Sequence, residues 1–203
     1  SVTFRIEEKI PISSSDMITL YENLINDGMK PLFKQRKIYS TYFETINLNM
    51  FNDSLEGVLP RKKIRVRHYP RSSSNYSLEI KYSSIEGRFK KSNEISISDN
   101  KKYLKNGIFD SLYGICIPLL EVMYEREYFQ IGGIRLTFDK NIIYRSFQNK
   151  KIQKVDDWSV VEIKAPVNIS IDYLNLLISS PRKRFSKFSN GISIIEPTFS
   201  RVF

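Results

Sequence analysis

The sequence has almost none of the residues from which redox and zinc sites are built. It contains one cysteine, Cys116, and one histidine, His68, among its 203 residues. A disulfide within the chain is therefore excluded, and so is a metal centre made of several Cys or His ligands. Cys116 lies in the apolar run Ile115-Cys116-Ile117, which predicts a buried structural thiol. For His68 we expect a structural or surface role.

Long apolar stretches and nucleotide-binding loops are missing as well. No segment approaches the roughly 20 apolar residues that a membrane-spanning helix needs, and no secretory signal pattern is visible. The glycine-rich phosphate loop with its terminal Lys-Ser or Lys-Thr does not occur, and Gly132-Gly133 reads as a turn. We expect a cytoplasmic location, which includes the cytoplasmic face of a membrane.

Positive charge is what the sequence has in excess. Lys and Arg number 32 against 22 Asp and Glu, which gives a net charge of +10. Hydrophobic residues make up 41%, so the chain can form a packed core. The charge predicts an anionic partner, which could be a nucleic acid, an anionic membrane or a phosphate compound. Charge alone does not choose among these three.

Short strand-like segments dominate the chain. Strands are predicted at 3–10, 37–47, 63–69, 76–82, 88–97, 122–130, 134–138, 142–146 and 159–165. Helices are predicted from Ser15 or Asp16 to residue 26, from Asp99 or Asn100 to just before Gly107, and at 108–120 and 170–178. The stretches 49–57 and 72–75 read as loops. This pattern predicts an α+β fold with one mostly antiparallel sheet, in a single domain over residues 1–203.

Basic residues recur at alternate positions of these strands. Residues two apart in a strand share a face, and the shared faces carry Lys9, Arg65, Arg67, Lys81, Arg88, Lys90, Arg126, Arg135 and Lys164. An ordinary solvated face mixes both signs of charge, whereas like charges repel unless an anion neutralises them. Because the planar fork of Arg matches phosphate oxygens, the pattern predicts a phosphate-binding surface. A sheet that curls would gather these groups in one lumen.

Three Glu-x-Lys triplets place carboxylates among the cations. They begin at Glu7, Glu79 and Glu162. A carboxylate in such surroundings can hold Mg²⁺ or Mn²⁺ while phosphate supplies further oxygen ligands. The alternative is a cross-strand ion pair, which for Glu79 is at least as well supported as a metal site.

The order of the motifs resembles a known family. Thr41-Tyr42-Phe43-Glu44-Thr45 is followed by Arg65-Val66-Arg67-His68-Tyr69, Glu79-Ile80-Lys81 and the basic strand around Lys90. Next come Tyr124-Glu125-Arg126-Glu127-Tyr128, Ile134-Arg135-Leu136-Thr137-Phe138-Asp139, Val161-Glu162-Ile163-Lys164 and Arg184-Phe185-Ser186-Lys187. This series resembles the VTC domain, the catalytic domain of vacuolar transporter chaperone polyphosphate polymerases. Each motif is weak by itself, but their shared order is fairly specific.

The resemblance implies a fold, a cofactor and a site. The fold would be the eight-stranded antiparallel β tunnel of the triphosphate tunnel metalloenzymes, with a few flanking helices. The cofactor would be Mn²⁺ or Mg²⁺, and the partners would be ATP and polyphosphate. Carried over by motif, the catalytic residues would be Arg65, Arg67, Arg126 and Arg135, the phosphate-binding residues Lys9, Lys81, Lys90, Arg184 and Lys187, and the metal ligand Glu162. A register error of one residue would replace Lys90 by Lys91.

Three functions follow from these observations. The leading one is metal-dependent polyphosphate synthesis from ATP. If the resemblance extends that far, the chain belongs to a larger membrane-associated protein or complex. The alternatives are a tunnel triphosphatase, in which water is the acceptor, and a non-catalytic module that binds polyphosphate or RNA. Nucleic acid is disfavoured because only Tyr124 and Tyr128 beside Arg126 interleave aromatic and basic residues. Arg5 stands where related CYTH enzymes begin their Glu-x-Glu-x-Lys motif, which argues against a CYTH-type thiamine triphosphatase or adenylyl cyclase.

Overall fold

The structure is a computed structural model, and it describes residues 6–71 and 75–196. The strands are β1 (Ile6–Ile12), β2 (Lys30–Glu44), β3 (Arg61–His68), β4 (Tyr76–Ser84), β5 (Gly87–Ile95), β6 (Ile108–Asp110), β7 (Gly114–Ile131), β8 (Ile134–Ser146), β9 (Gln153–Val155) and β10 (Ser159–Ala165). The helices are α1 (Ser14–Asn26), α2 (Asn49–Glu56), α3 (Ile97–Asn106), α4 (Ile171–Leu177) and α5 (Lys187–Ile195). The predicted α+β class is confirmed.

Eight strands form the main path of the sheet, in the order β1-β10-β8-β7-β2-β3-β4-β5. Two short strands lie off this path, with β6 paired to β7 and β9 paired to β8. The pairs β1–β10, β10–β8, β2–β3, β3–β4 and β4–β5 are all antiparallel. The eight-stranded antiparallel architecture expected from the sequence is thereby confirmed.

The described residues form two compact units. The first unit contains 6–37, 124–142 and 155–185, and the second contains 38–71, 75–123, 143–154 and 186–196. Strands β2, β7, β8 and β9 contribute residues to both. The single domain expected over residues 1–203 stays a prediction.

The first unit has its own apolar core, built from one face of its strands and from α1. Ile134, Leu136 and Phe138 alternate along β8 and are almost fully buried, as strand periodicity requires. Leu24 of α1 is fully buried in the same core, and Tyr21 packs edge-on against Phe138. The residues between the buried ones therefore lie on the opposite face of these strands.

The second unit is organised around two consecutive hairpins, β3–β4 and β4–β5. Ser84 pairs with Gly87 at the turn of the second hairpin. Ile64 and Val66 are buried on one face of β3. At Gly191 in α5, a Cβ atom would lie 2.6 Å from Leu120 Cδ2 and 2.9 Å from Tyr144 Cδ1. This glycine therefore allows α5 to pack closely against β7 and β8.

Helix α2 begins with an unusual cap. Its N-cap residue, Leu48, has a left-handed backbone with φ of 58° and makes no side-chain capping bond. The carboxylate of Glu44 at the end of β2 takes that role, because it accepts from the backbone N–H groups of Thr45, Met50 and Phe51 at 2.7, 3.1 and 2.8 Å. A buried carboxylate thus satisfies N–H groups that the first turn of a helix leaves open. Burial raises the pKa of Glu44, and these hydrogen bonds oppose that rise.

Several predicted elements are corrected by the structure. The helix predicted at 108–120 is wrong, because the segment forms β6 and the start of β7. Gly114 has φ of 78°, and Cys116, Pro118 and Leu120 are buried at alternate positions, which is the period of a strand. The loop predicted at 49–57 is also wrong, since α2 occupies it, and α5 was not predicted at all.

Other boundaries shift by a few residues. Ser13 rather than Ser15 or Asp16 caps α1, and Ser96 caps α3 three residues before the predicted Asp99. The strands predicted at 134–138 and 142–146 are one continuous strand, β8. The helix predicted at 170–178 and the strand predicted at 159–165 are confirmed. Residues 3–5 of the first predicted strand and 72–74 of the predicted loop lie outside the described residues.

Candidate functional site

In the second unit, three cationic side chains surround the carboxylate of Glu79. Arg65 Nε lies 2.7 Å from Glu79 Oε2, Arg67 Nε lies 3.9 Å from the same oxygen, and Lys90 Nζ lies 3.2 Å from Oε1. We call these four residues the Glu79 cluster. Glu79 and both arginines are buried. Burial by itself would raise the pKa of Glu79, but the charges of Arg65, Arg67 and Lys90 outweigh it and lower the pKa to about 2.

Strand pairing explains how these residues meet. Arg65 stands opposite Glu79 in the β3–β4 pair, and Lys81 stands opposite both Lys63 of β3 and Lys90 of β5. Lys90 therefore shares a face with Arg65, whereas Lys91 pairs with Ile80 on the other face. Lys81 and Lys90 are exposed. This face of the second unit thus brings together four of the predicted residues, namely Arg65, Arg67, Lys81 and Lys90.

Two hydroxyl groups on β2 also contact the arginines. Arg65 Nη1 donates to the Tyr42 hydroxyl at 3.1 Å, and Arg67 Nε donates to Ser40 Oγ at 3.3 Å. Tyr42 is buried. Burial by itself would raise the pKa of Tyr42, but the charges of Arg65, Arg67 and Lys81 outweigh it and lower the pKa to about 7.

The start of α5 lies beside this face. Lys63 Nζ donates to Ser186 Oγ at 3.2 Å and lies 5.8 Å from the centre of the Phe188 ring. The Phe188 ring also packs on Tyr42, with the two centroids 5.3 Å apart. Lys187, a predicted phosphate-binding residue, is the first residue of α5 and is half-buried. Its backbone is thus held next to the cationic face through its two neighbours in sequence.

In the first unit, Glu162 lies on the face opposite the core. Lys9 of β1 and Thr137 of β8 stand directly across from Glu162 on the two neighbouring strands, and Lys164 Nζ lies 3.8 Å from Glu162 Oε1. The Thr137 hydroxyl oxygen is buried, and among the residues that the structure describes it makes no hydrogen bond. Glu162 and Thr137 therefore form a small group of oxygen atoms beside Lys9 and Lys164.

Arg126 is held on the same face by a two-point ion pair. Its Nε and Nη2 donate to the two carboxylate oxygens of Asp139 at 2.7 and 2.8 Å, and the guanidinium carbon lies 5.4 Å from the Tyr124 ring centre. Burial by itself would lower the pKa of Arg126, but Tyr124, Asp139 and Glu162 outweigh it and raise the pKa. Arg126 therefore stays charged at every accessible pH, and its guanidinium plane has a defined orientation.

The remaining predicted residues of the first unit are Arg135, Arg184 and the half-buried Lys9. Arg135 is exposed and stands opposite Lys164. Arg184 is exposed as well. Lys9 Nζ donates to the carbonyl of Phe185 at 3.4 Å, and the backbone N–H of Lys183 donates to the carbonyl of Lys9 at 3.3 Å. The segment that carries Arg184 thus runs along Lys9.

The predicted roles of the two single residues, His68 and Cys116, agree with their surroundings. His68 lies between the rings of Tyr39 and Tyr76, with centroids 4.9 and 4.7 Å away, and burial lowers the pKa of its imidazole. Cys116 is fully buried, and burial raises the pKa of its thiol to about 12. Neither side chain lies among the residues described above.

On this geometry, both faces are suited to oxyanions, because cations outnumber carboxylates on each. The sequence of residues 4–115 and 113–196 matches the family model of the VTC domain. The chain belongs to the VTC domain family. No curated protein matches the sequence at a significant level.

Solved structures support the fold of this VTC domain. A candidate adenylate cyclase from Bacillus halodurans is 13% identical with a TM-score of 0.63, over 90% of this chain and 94% of that one. A candidate adenylyl cyclase from Hippeastrum, described as having a dominant triphosphatase activity, is 14% identical with a TM-score of 0.57, over 92% and 94%. A candidate adenylate cyclase from Vibrio parahaemolyticus is 12% identical with a TM-score of 0.56, over 95% and 99%. These likenesses concern the fold, and they confirm the predicted triphosphate tunnel class.

The VTC domain family implies a divalent metal, and the residues around Glu162 fit one that is shared with a substrate. Over residues 6–71 and 75–196, no group of three or more His, Cys, Asp or Glu side chains is close enough to hold an ion by itself. Mg²⁺ commonly takes one or two carboxylates and completes its coordination with substrate phosphates and water. The Glu162 carboxylate and the buried Thr137 hydroxyl supply hard oxygen donors of this kind. The other two carboxylates are less suited to a metal, because Asp139 is bound to Arg126 and Glu79 is bound to three cations.

The structure adds residues to the VTC domain site that motif reasoning missed. Lys63, Tyr42 and Ser40 all lie on the face of Arg65 and Arg67. The spacing of Lys63, Arg65 and Arg67 at alternate positions was enough to indicate that Lys63 shares their face. Tyr42 and Ser40 could be placed only with the β2–β3 register, and Thr137 only with the β8–β10 register.

A separate ion cluster lies on the other face of β2. Tyr39 donates to Glu121, which also accepts from Arg145 and Lys150. Glu121 is buried. The Tyr39 hydroxyl donates to a carboxylate and also accepts from Arg145 Nη2 at 3.2 Å, whereas the Tyr42 hydroxyl accepts from Arg65.

Among the described residues, no helix is long and apolar enough to cross a membrane.

Proposed function

We propose that this VTC domain is the catalytic domain of a metal-dependent polyphosphate polymerase. In the reaction, the γ-phosphoryl group of ATP moves to the end of a growing polyphosphate chain, and ADP leaves. The observation that carries the proposal is the Glu79 cluster, in which two buried arginines share one carboxylate inside a domain of this family. Phosphoryl transfer depends on positioning and charge neutralisation, so it needs no protein nucleophile.

The two arginines of the Glu79 cluster would bind phosphate oxygens. Glu79 accepts from the Nε atom of Arg65, and a guanidinium group carries five N–H donors in a planar fork that suits phosphate oxygens. Arg67 is placed similarly through Ser40. Because both side chains are already ordered, little conformational entropy is lost when a phosphate binds. Lys81, Lys90 and Lys187 would hold neighbouring phosphates of the donor or the product.

On the first unit, Arg126 and Arg135 would neutralise charge on the phosphoryl group that is transferred. Asp139 holds Arg126 in one orientation, and Arg135 is exposed enough to move onto a ligand. Lys9 and Arg184 would bind further phosphates. Glu162 and Thr137 would hold Mn²⁺ or Mg²⁺, which when bound would neutralise negative charge on the phosphates.

Six finer statements accompany this proposal. ATP is the phosphoryl donor, polyphosphate is the product, and nucleic acid is not the partner. The catalytic domain spans residues 1–203. Its location is cytoplasmic, which includes the cytoplasmic face of a membrane. It works within a larger membrane-associated protein or complex. Each of these stays a prediction.

The test is a product assay with γ-labelled ATP and Mn²⁺ that measures long-chain polyphosphate, ADP and free phosphate together. We expect labelled polymer with one ADP per phosphate added. Arg65→Lys keeps the charge but removes the fork, and it should lower polymer synthesis by about 10-fold or more. Arg71→Lys is the matched control, because Arg71 is an exposed arginine on a turn.

The other outcomes of the assay identify the alternatives. Free phosphate without polymer would replace the polymerase by a triphosphatase, an activity that the Hippeastrum protein of similar fold is described as having. If neither product forms while tripolyphosphate binds, the domain is a binding module. Either result overturns the polymerase.

A further inference from the structure

Tyr42 places a buried hydroxyl group inside a cluster of cations. The residue is 5% exposed, its ring packs on Phe188, and the guanidinium of Arg65 lies 5.9 Å from the ring centre. Arg65 Nη1 donates to the hydroxyl oxygen at 3.1 Å. A guanidinium group can only donate, so this contact is stronger for a phenolate oxygen than for a neutral phenol.

The other charged groups around Tyr42 act mainly in the same direction. Charged residues share the face of Tyr42 on four strands, among them Glu44 on β2, Lys63, Arg65 and Arg67 on β3, Glu79 and Lys81 on β4, and Lys90 on β5. Lys187 lies at the start of α5, next to Phe188. The largest charge effects on the hydroxyl come from Arg65, Arg67 and Lys81. Together they outweigh burial and hold the pKa of Tyr42 at about 7.

We propose that Tyr42 is a positioning residue that loses its hydroxyl proton to solvent while the arginines carry no ligand, and regains a proton when an oxyanion binds to them. The exchange needs no other reactant, because the proton passes between the hydroxyl and water. In the absence of a ligand, the phenolate is a second counter-ion for Arg65 beside Glu79. A bound oxyanion takes over this role, and the neutral phenol no longer repels it. The inference rests on the proposed function, because it assumes that the arginines bind phosphate.

Proton binding to Tyr42 and oxyanion binding to the arginines affect each other reciprocally, and this coupling sets the expected pH dependence. If an oxyanion raises the pKa of Tyr42, a proton on Tyr42 must raise the affinity for the oxyanion by the same factor. Affinity should therefore be highest below pH 7 and fall as the pH rises through about 7. The decrease can reach about tenfold per pH unit between the unliganded and the liganded pKa. Polyphosphate binding would thus be coupled to proton uptake in the neutral range.

The first experiment follows the phenolate directly. The near-ultraviolet absorbance of phenolate is titrated from pH 5 to pH 9 in the wild-type chain, in Tyr42→Phe and in Tyr39→Phe. We expect one of the 12 tyrosines to titrate near pH 7 in the wild type and in Tyr39→Phe, but none in Tyr42→Phe. Tyr39 is a suitable control because it lies on the same strand beside Glu121, where burial and that carboxylate raise its pKa.

The second experiment measures sulfate binding by calorimetry over the same pH range. Sulfate is the probe because its own charge does not change between pH 5 and pH 9. We expect the wild type to lose affinity as the pH rises, to take up protons on binding and to shift the Tyr42 titration upward. Tyr42→Phe should bind sulfate with an affinity that changes less than about twofold over the range.

Each remaining result overturns the inference. It is wrong if the wild type shows no tyrosine titration below pH 9, or if Tyr42→Phe keeps the full pH dependence of sulfate binding. If that dependence disappears instead in Lys90→Ala, the titrating group is Lys90, whose pKa is lowered by the partial burial of its side chain. If Tyr42 titrates near pH 7 but sulfate does not bind, both this inference and the phosphate-binding role of the arginines fail. If polymer is made but Tyr42 does not titrate near pH 7, only this inference fails, and the proposed function is unaffected.

Discussion

The tripeptide Glu-Ile-Lys occurs twice in strands of this domain, and its two glutamates have different surroundings. In the second unit, Glu79 accepts from or pairs with Arg65, Arg67 and Lys90, and its side chain is 7% exposed. In the first unit, Glu162 stands across from Lys9 and Thr137 and its side chain is 15% exposed. The tripeptide determines only which face a side chain lies on. The neighbouring strands decide what that side chain can bind.

This difference suggests different roles for the two acids. Glu79 contacts three cations, so its charge is used to order the arginines before any phosphate arrives. Glu162 lies beside a buried hydroxyl that makes no hydrogen bond among the described residues, so its surroundings suit a divalent metal. Replacing each glutamate by glutamine removes the charge and keeps the shape. The two variants should therefore fail in different ways.

The largest effect is expected for turnover in Glu162→Gln. Loss of a metal-binding carboxylate should lower polyphosphate synthesis by about 100-fold or more, while the unfolding free energy stays within about 1 kcal/mol of the wild type. Product formation and Mn²⁺ binding, the latter by electron paramagnetic resonance, are measured on the same sample. Glu127→Gln is the control, because Glu127 pairs with Lys140 at the surface. Turnover within threefold of the wild type in Glu162→Gln would remove the metal role.

Glu79→Gln should instead lower stability. Removing one partner of a buried ion pair leaves uncompensated charge, which costs about 3–5 kcal/mol. We expect urea unfolding at pH 7 to show this loss, and sulfate to restore part of it by binding to Arg65 and Arg67. Glu86→Gln, at the exposed turn between β4 and β5, should change stability by less than about 0.5 kcal/mol. A variant as stable as the wild type would show that the Glu79 cluster does not stabilise the fold.

Acid unfolding should reveal how much the charge of Glu79 stabilises the fold. The ordinary pKa of Glu79 is 4.5 and its pKa in the folded chain is about 2, so protons bind the unfolded chain more tightly. The stabilisation by the Glu79 charge is thus complete above pH 4.5 and is lost as the pH falls towards 2. Over this range the wild type should lose about 3 kcal/mol more than Glu79→Gln does. Equal slopes in the wild type and Glu79→Gln would contradict the assignment of this stabilisation to Glu79.

The smallest effect is expected for two adjacent lysines of β5. Lys90 shares the face of Arg65, and its side chain is 45% exposed, so Lys90→Ala should weaken tripolyphosphate binding by about fivefold, or about 1 kcal/mol. Lys91 pairs with Ile80 on the other face, and Lys91→Ala should change the affinity by less than twofold. Equal effects of the two substitutions would mean that long-range charge, rather than the register of β5, determines affinity.

Sequence periodicity was sufficient to predict which residues lie on each face of most strands. The alternation of Val161 and Ile163 with Glu162 and Lys164 predicted β10 and its charged face, and the structure agrees. In the strand predicted around Lys90, this lysine likewise lies on the expected face of the sheet. Period-2 alternation is a local property of a strand, which explains why one sequence is enough to see it.

Contacts that depend on distant residues could not be predicted. The carboxylate of Glu44 supports α2 from another element, so residues 49–57 read as a loop. The apolar run at 108–120 suits a strand or a helix equally well until its pairing partners are known. The hydrogen bonds of Tyr42 and Ser40 depend on the register of β2 against β3. For the same reason, the alternatives for Glu79, metal ligand or ion pair, could be separated only with coordinates.

The Glu44 cap also fixes the position of β2 along its partner strand. A slip of one residue would turn every side chain of β2 to the other face and remove Tyr42 from Arg65. Such a slip would pull the Glu44 carboxylate away from the amides of Met50 and Phe51, and the first turn of α2 would have to unfold with it. In hydrogen exchange, the end of β2 and the start of α2 should therefore open together. A helix outside the Glu79 cluster thus keeps the Tyr42–Arg65 pair in register, and any shortening of α2 would loosen that pair without altering either residue.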